Sequence, residues 1–208
     1  MSKRKYDKVD YSEKFQIIIN SISSSTLYMP EFYKFLYKKS HTISEEELDK
    51  HMNSVSIYNA FDDYKNDKNK SYICIYYNKG HWYSIVNNNK FDAYKCNIQI
   101  PGTNSFCQSF ALYLAANNGN IENDFKKKKY IINIQRMAKL HYDFINTIDK
   151  LDYSTYNEDF LETFNEVNEI EGTNLNPSSI NTLKSYFKEL YDNYKIANEF
   201  AVSKEKYI

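Results

Sequence analysis

The sequence has few of the residues that interrupt or crosslink a chain: its 208 residues include only 4 glycines, 3 prolines and 3 cysteines. Such a composition is typical of a folded, helix-rich protein and not of a disordered one. The cysteines, Cys74, Cys96 and Cys107, are odd in number, lack C-x-x-C spacing and have no clustered histidines beside them. This pattern argues against a disulfide framework and a structural zinc site, so we expect no metal and no cofactor.

Long apolar runs and an excess of charge of either sign are also missing. No run approaches the roughly 20 residues that span a bilayer, and no apolar segment follows the charged start MSKRKYDKVDYSEK. Lys plus Arg and Asp plus Glu each number 27, so the net charge is zero. The protein as a whole therefore has no excess of positive charge that would attract nucleic acid or an anionic membrane. We therefore expect a soluble, cytoplasmic protein without clear nucleic-acid or membrane binding.

Helical periodicity dominates the first part of the chain. The segments YSEKFQIIINSI and MPEFYKFLYKK predict two helices. A third helix is predicted from Ser44, where Glu47 completes a capping box, and its apolar positions continue through Leu48 and Met52 to Tyr58. The polar stretch from Asp62 to Lys70 is interpreted as a loop.

The spacing of apolar residues then changes from that of helices to that of strands. The segments SYICIYY, HWYSIV and KFDAYKC are aromatic and β-branched, and the tight-turn sequences NKG and NNN separate them, so a three-stranded antiparallel meander is predicted. After the irregular NIQIPGTNS, helical spacing returns from about Ser105 and places Cys107 in the first turn of a helix. A long amphipathic helix from Ile131 to Ile148 and two further helices, NEDFLETFNEVNEI and PSSINTLKSYFKELYDNYKIANEF, follow.

These patterns predict an α+β fold in which a small antiparallel sheet packs on a cysteine-bearing helix and is surrounded by N- and C-terminal helices. Within one compact domain, residues 1–70 are predicted as an N-terminal helical part and residues 71–150 as the core of sheet and cysteine helix. Residues 151–208 are predicted as a C-terminal helical extension, which could also bind a protein partner.

The positions of one cysteine and one histidine suggest nucleophilic chemistry. The N-terminus of a helix favours a thiolate, and Cys107 is predicted to lie there. His81 opens a strand directly after Gly80, so its imidazole can lie at the end of the sheet and take the thiol proton. Asp92, on the next strand, can supply a carboxylate that fixes the imidazole tautomer.

The remaining thiols and imidazoles are interpreted structurally. Cys74 and Cys96 fall inside predicted strands, where a cysteine is usually a packed core residue. His41, His51 and His141 lie on polar or helical segments without matching partners, so we expect surface or cap positions for them.

The motifs around these residues resemble a known family. HW opens a strand, FDAY lies on the next strand, and Q-x-P-G-T-N-S-F-C-Q-S-F leads into a helix. This order resembles the cysteine proteases related to the adenovirus maturation protease and the SUMO-specific proteases, over roughly Tyr72 to Asn117. The resemblance implies that His81 is the general base, Asp92 the carboxylate that orients it and Cys107 the nucleophile. It also implies that Gln99 is a side-chain donor to the oxyanion and that Trp82 is a shielding aromatic residue.

The chain departs from the family pattern at three points. Gln108 stands where a glycine usually follows the nucleophile, and its side chain could crowd the oxyanion site. The interval from Asp92 to Cys107 is shorter than in the family. Gln99 lies eight residues before Cys107, slightly beyond the usual spacing.

The hairpin register leaves the orienting residue open. If NNN is the turn, the residue opposite His81 is near Lys95 or Cys96, which puts Asp92 about 10 to 13 Å away along the strand. Asn97 is the alternative orienter, because an amide carbonyl can also accept the imidazole proton. We prefer Asp92 because FDAY fits the family's pattern of an aromatic residue, an aspartate and a small residue.

Three functions follow from these patterns. The first is a virus-encoded thiol protease or isopeptidase that cleaves a peptide, a ubiquitin-like or a viral precursor bond, in the host cytoplasm or the virion. The next is a catalytically degenerate protease-like fold that acts as a structural or adaptor protein. The third is a thiol enzyme resembling the lecithin:retinol acyltransferase group, which the missing membrane-associating segment disfavours.

Overall fold

The structure is a computed structural model, and it describes residues 28–101, 106–147 and 180–202. Two of the predicted helices, YSEKFQIIINSI and NEDFLETFNEVNEI, lie outside these residues. The described residues form seven helices and four strands, in the order α1 (Tyr28–Ser40), α2 (Glu45–Met52), β1 (Val55–Tyr58), α3 (Phe61–Asn66), β2 (Ile73–Asn78), β3 (His81–Val86), β4 (Asn89–Phe91), α4 (Cys107–Ala116), α5 (Tyr130–Asn146), α6 (Ile180–Asp192) and α7 (Tyr194–Val202).

The four strands form one sheet in the order β1-β2-β3-β4, which confirms the α+β class. β2, β3 and β4 form the predicted antiparallel meander. Both hairpin turns place two residues at positive φ, Lys79 and Gly80 in the first and Asn87 and Asn88 in the second. Two successive left-handed residues match the right-handed twist of a hairpin, which is why Asn and Gly are favoured there.

The sheet is mixed, because a fourth strand that the sequence did not predict joins the antiparallel meander. β1 pairs in parallel with β2, with Val55 opposite Ile73 and Ile57 opposite Ile75. The predicted continuation of the third helix to Tyr58 was therefore wrong. α2 ends at Met52, and the β-branched residues that follow join the sheet because they can pack there beside β2.

The segment from Asp62 to Lys70 was predicted as a loop, but its first half is helical. α3 occupies residues 61–66 and carries Asp62 and Asp63 in its first turn, where acidic side chains interact favourably with the helix dipole. This short helix connects the parallel strands β1 and β2. The described part of the segment 1–70, which was predicted to be helical, therefore also contributes β1 to the sheet.

One face of the sheet packs against α4. All ten residues of α4 are buried, so this helix lies at the centre of the protein, between β3 and α1. Most of its residues are apolar, as expected for a helix that is buried on every side. α6 and α7 both pack against α5.

Two individual residues were assigned wrongly. Cys96 lies half-buried in the turn after β4 and not inside a strand. His141 lies on α5 with 0% of its surface exposed, where Ser109 and several phenylalanine rings enclose it. A polar residue on an amphipathic helix was expected on the surface, but the packing of α6 over α5 covers this position.

Candidate active site

The site is built around a buried histidine–aspartate pair. His81 is the first residue of β3, and its Nε2 lies 2.9 Å from Oδ1 of Asp92. His81 is 4% exposed and Asp92 is 8% exposed. Asp92 directly follows β4, and its Oδ1 also accepts a hydrogen bond from the Tyr94 backbone N–H, at 2.9 Å. The carboxylate is thus held by its own loop while it contacts the imidazole.

The expected gap between His81 and Asp92 does not exist. The hairpin turn is Asn87–Asn88, and the ladder ends where Ser84 pairs with Phe91. The chain then leaves the sheet and curls back, since the N–H of Cys96 donates to the Asp92 carbonyl at 2.9 Å. This turn brings Asp92 to the imidazole, which an extended strand would not do.

The charge state of the pair follows from its contacts. Burial alone would raise the pKa of Asp92, but the hydrogen bonds from His81 and the Tyr94 N–H, together with Lys95, lower it on balance. An ionised Asp92 only accepts hydrogen bonds, so the neutral imidazole carries its proton on Nε2. The other ring nitrogen, Nδ1, then has the lone pair. It is buried and has no hydrogen-bond partner among the described residues.

Two tyrosine rings enclose the imidazole. Tyr94 stacks on it with ring centroids 3.7 Å apart, and Tyr83 meets it edge-on at 4.8 Å. The ring contact described for Trp82 is with Tyr77, at 5.6 Å, and its side chain belongs to the buried core. The aromatic residues that cover His81 are therefore tyrosines, which the sequence reading missed. The signals were present: Tyr83 lies two residues after the histidine and Tyr94 two residues after the aspartate.

Cys107 begins the helix that packs against β3. It is the first residue of α4 and is 7% exposed. The residue before it, Phe106, has left-handed backbone dihedrals of φ 58° and ψ 15°. A bulky residue rarely adopts this conformation, and such strain is found most often at functional sites. The buried Phe106 ring, 5.2 Å from that of His141, anchors this turn in the core.

The other predicted site residues lie in the loop after β4 and in the first turn of α4. Gln99 is 2% exposed in the loop after β4. Asn97 has a left-handed backbone, with φ of 57°, and its carbonyl accepts the Lys128 N–H at 2.8 Å. The hydrogen bond described at Nε2 of His81 is made with Asp92 and not with Asn97. The Gln108 side chain points towards α1, where its Nε2 contacts the sulfur of Met29.

No metal centre or membrane segment was found in the part of the chain that the structure describes. Within residues 28–101, 106–147 and 180–202, no three His, Cys, Asp or Glu side chains are grouped so that they could hold a metal ion. Over the same residues, no helix is both long enough and apolar enough to cross a membrane.

Comparison with known proteins adds no relative. The chain matches no protein-family model, no curated protein and no solved structure.

Proposed function

We propose that the protein is a thiol hydrolase that cleaves a peptide or isopeptide bond with Cys107 as nucleophile. One observation carries the proposal. A buried imidazole is held by a carboxylate through Nε2, its Nδ1 lone pair has no hydrogen-bond partner among the described residues, and it opens the strand against which the Cys107 helix packs. A thiol, a base and a group that orients the base are the parts that this chemistry requires.

In the proposed reaction, Nδ1 of His81 takes the thiol proton and Cys107 attacks the substrate carbonyl carbon. The carbon–sulfur bond forms as the carbonyl oxygen becomes an oxyanion, to which the Gln99 side chain and the first-turn N–H groups of α4 would donate. The carbon–nitrogen bond then breaks, and the imidazolium gives its proton to the leaving amine. Water hydrolyses the resulting thioester, with His81 again taking and returning a proton.

The chemistry of a helix N-terminus supports the choice of thiol. The first turn of α4 places partial positive charge beside Cys107, which favours the thiolate. By contrast, Cys74 lies in β2, where burial raises the pKa of its thiol, and its sulfur donates to the Ser71 carbonyl at 3.3 Å. Cys96 lies in the turn after β4 and not in a helix.

The competing function is that of a degenerate protease-like fold that acts as a structural or adaptor protein. In that case the His81–Asp92 bond would serve to hold the loop after β4 against β3, and Cys107 would be an ordinary core thiol. The buried side chain of Gln108, directly after the cysteine, favours this alternative, because packing against α1 is the contact it is seen to make. Viral origin and a protein partner for the C-terminal helices stay predictions.

The rate of thiol alkylation separates these functions without knowledge of the substrate. Iodoacetamide at mildly acidic pH should modify Cys107 much faster than Cys74 and Cys96, as measured by peptide mapping over time. His81→Ala should remove this preference, because the cation that stabilises the thiolate is lost. His41→Ala is the matched control, since this exposed imidazole bonds to the Tyr37 carbonyl on the surface.

The outcomes are distinct. Fast labelling that depends on His81 but not on His41, together with cleavage products from a peptide library that Cys107→Ala abolishes, would establish the thiol hydrolase. A folded protein in which Cys107 reacts slowly, or equally fast without His81, would exclude it and favour the adaptor function.

A further inference from the structure

A buried asparagine on α5 holds two loops together. Asn133 is 0% exposed, and each hydrogen bond described for its side chain is made with a backbone group. Its Oδ1 accepts the Lys126 N–H at 2.9 Å, and its Nδ2 donates to the carbonyls of Ile98 at 2.9 Å and Lys126 at 2.8 Å. A side-chain amide is needed for this arrangement, since it offers an acceptor and two donors at once.

One of the two loops, residues 92–99, connects the predicted orienter with the predicted oxyanion donor. We call it the 92–99 loop. The Ala93 carbonyl accepts the N–H groups of both Ile98 and Gln99, each at 3.2 Å, and so closes the loop on itself. Asp92 lies at one end and Gln99 at the other. A hydrogen bond from Asn133 to the Ile98 carbonyl, directly before Gln99, links this loop to α5.

We propose that Asn133 is a positioning residue, which fixes the backbone at Ile98 so that the Gln99 side chain meets the oxyanion. The inference rests on the proposed thiol hydrolase function. Without the Nδ2 donor, the buried Ile98 carbonyl would lose its partner and the peptide could rotate. A displacement of about 1 Å at a group that stabilises the transition state is enough to slow a reaction by orders of magnitude.

Two reactions of Cys107 separate positioning from general stability. p-Nitrophenyl acetate acylates the thiolate: the sulfur bonds to the acetyl carbon, the carbonyl oxygen carries negative charge, and p-nitrophenolate then leaves with its electron pair. Iodoacetamide alkylates the same thiolate by direct displacement of iodide and forms no oxyanion. The ratio of the two rates therefore reports on oxyanion stabilisation alone, whatever the natural substrate is.

The measurement uses the full chain with Cys74→Ala and Cys96→Ser, so that one thiol reacts, and Cys107→Ala in that background gives the blank. We expect Asn133→Ala to lower the acylation rate by about tenfold or more and to leave the alkylation rate close to that of the parent. Asn133→Ser, whose hydroxyl can still donate to one carbonyl, should give a smaller loss and serves if the alanine variant does not fold.

Two controls test whether Asn133 acts on the reaction through the Gln99 side chain. Gln99→Ala should reproduce the loss, and the double variant with Asn133→Ala should be no slower than Gln99→Ala alone, because both act on one group. Ile134→Val removes a buried methyl group from the same helix and keeps the Asn133 amide that bonds to Ile98, so the ratio should not change.

Each result decides the matter. If the parent is acylated rapidly but Asn133→Ala leaves the ratio unchanged, or if the losses of the two variants multiply, the positioning inference is wrong and the hydrolase proposal stands. If Cys107 of the parent reacts no faster than the thiol of an unfolded peptide, the proposed function and this inference fall together.

Discussion

His141 should make the fold sensitive to acid. Its imidazole is fully buried on α5, its Nε2 lies 2.7 Å from the Ser109 hydroxyl, and the rings of Phe32, Phe106 and Phe187 stack around it at 4.1, 5.2 and 4.9 Å. Burial among these apolar rings disfavours the charged imidazolium and lowers the pKa of His141 to about 3. In the unfolded chain the pKa returns to about 6.5.

The sign and size of the effect follow from this difference. The folded pKa is depressed, so below pH 6.5 the unfolded state binds a proton that the folded state excludes, and the fold loses stability as the pH falls. The loss is at most about 1.4 kcal/mol for each pH unit between roughly 6.5 and 3. From about pH 7.5 to about pH 5, His141 alone should therefore cost about 2 kcal/mol of the free energy of unfolding.

The test replaces the imidazole with a side chain that cannot ionise. Urea unfolding of the parent and of His141→Gln at both pH values should show that the variant loses about 2 kcal/mol less over this range. Carboxylates that titrate in both proteins cancel in the comparison. Ser109→Ala keeps the imidazole and should keep most of the acid sensitivity. Equal pH slopes for the parent and His141→Gln would refute a buried neutral histidine.

Two further predictions concern the orienting residue and a tight turn. Asp92→Asn should slow alkylation of the candidate nucleophile by at least about tenfold, because an amide favours the wrong imidazole tautomer; Asn97→Gly should not, and the reverse result would make Asn97 the orienter. Gly119→Ala should cost about 2 to 4 kcal/mol in urea unfolding, because its Cβ would lie 2.3 Å from the Phe91 ring at a φ of +76°. Gly80→Ala has a similar φ of +79° and open space. It should cost only about 1 to 2 kcal/mol, and equal losses would contradict a clash at Phe91.

Local signals in the sequence predicted several elements correctly. The capping box at the start of α2 is formed as expected, with the Ser44 N–H donating to Glu47 at 2.8 Å and the Glu47 N–H donating to Ser44 at 3.1 Å. The two hairpins follow from their turn residues, and the start of α4 at Cys107 follows from the return of helical spacing. Each of these depends on residues within about one helical turn or one hairpin, which a sequence window contains.

The arrangement of the candidate site was only partly predictable. The sequence identified His81 and Asp92 as possible partners, but an extended strand would have kept them apart. Their contact depends on the turn after Phe91, which the loop's own hydrogen bonds stabilise. Asn133 was missed altogether, because nothing near it in the sequence distinguishes an asparagine that bonds to two distant loops from one in solvent.

By itself, then, the sequence determined the antiparallel meander, the capped helix α2 and the position of Cys107 at a helix start, since those depend on neighbouring residues. Tertiary structure decided the parallel pairing of β1 with β2, the burial of His141 and the contact between His81 and Asp92. The reason is that a residue such as Val55 or His141 is equally compatible with several environments. Which one it occupies depends on the apolar surface that a distant segment brings to it.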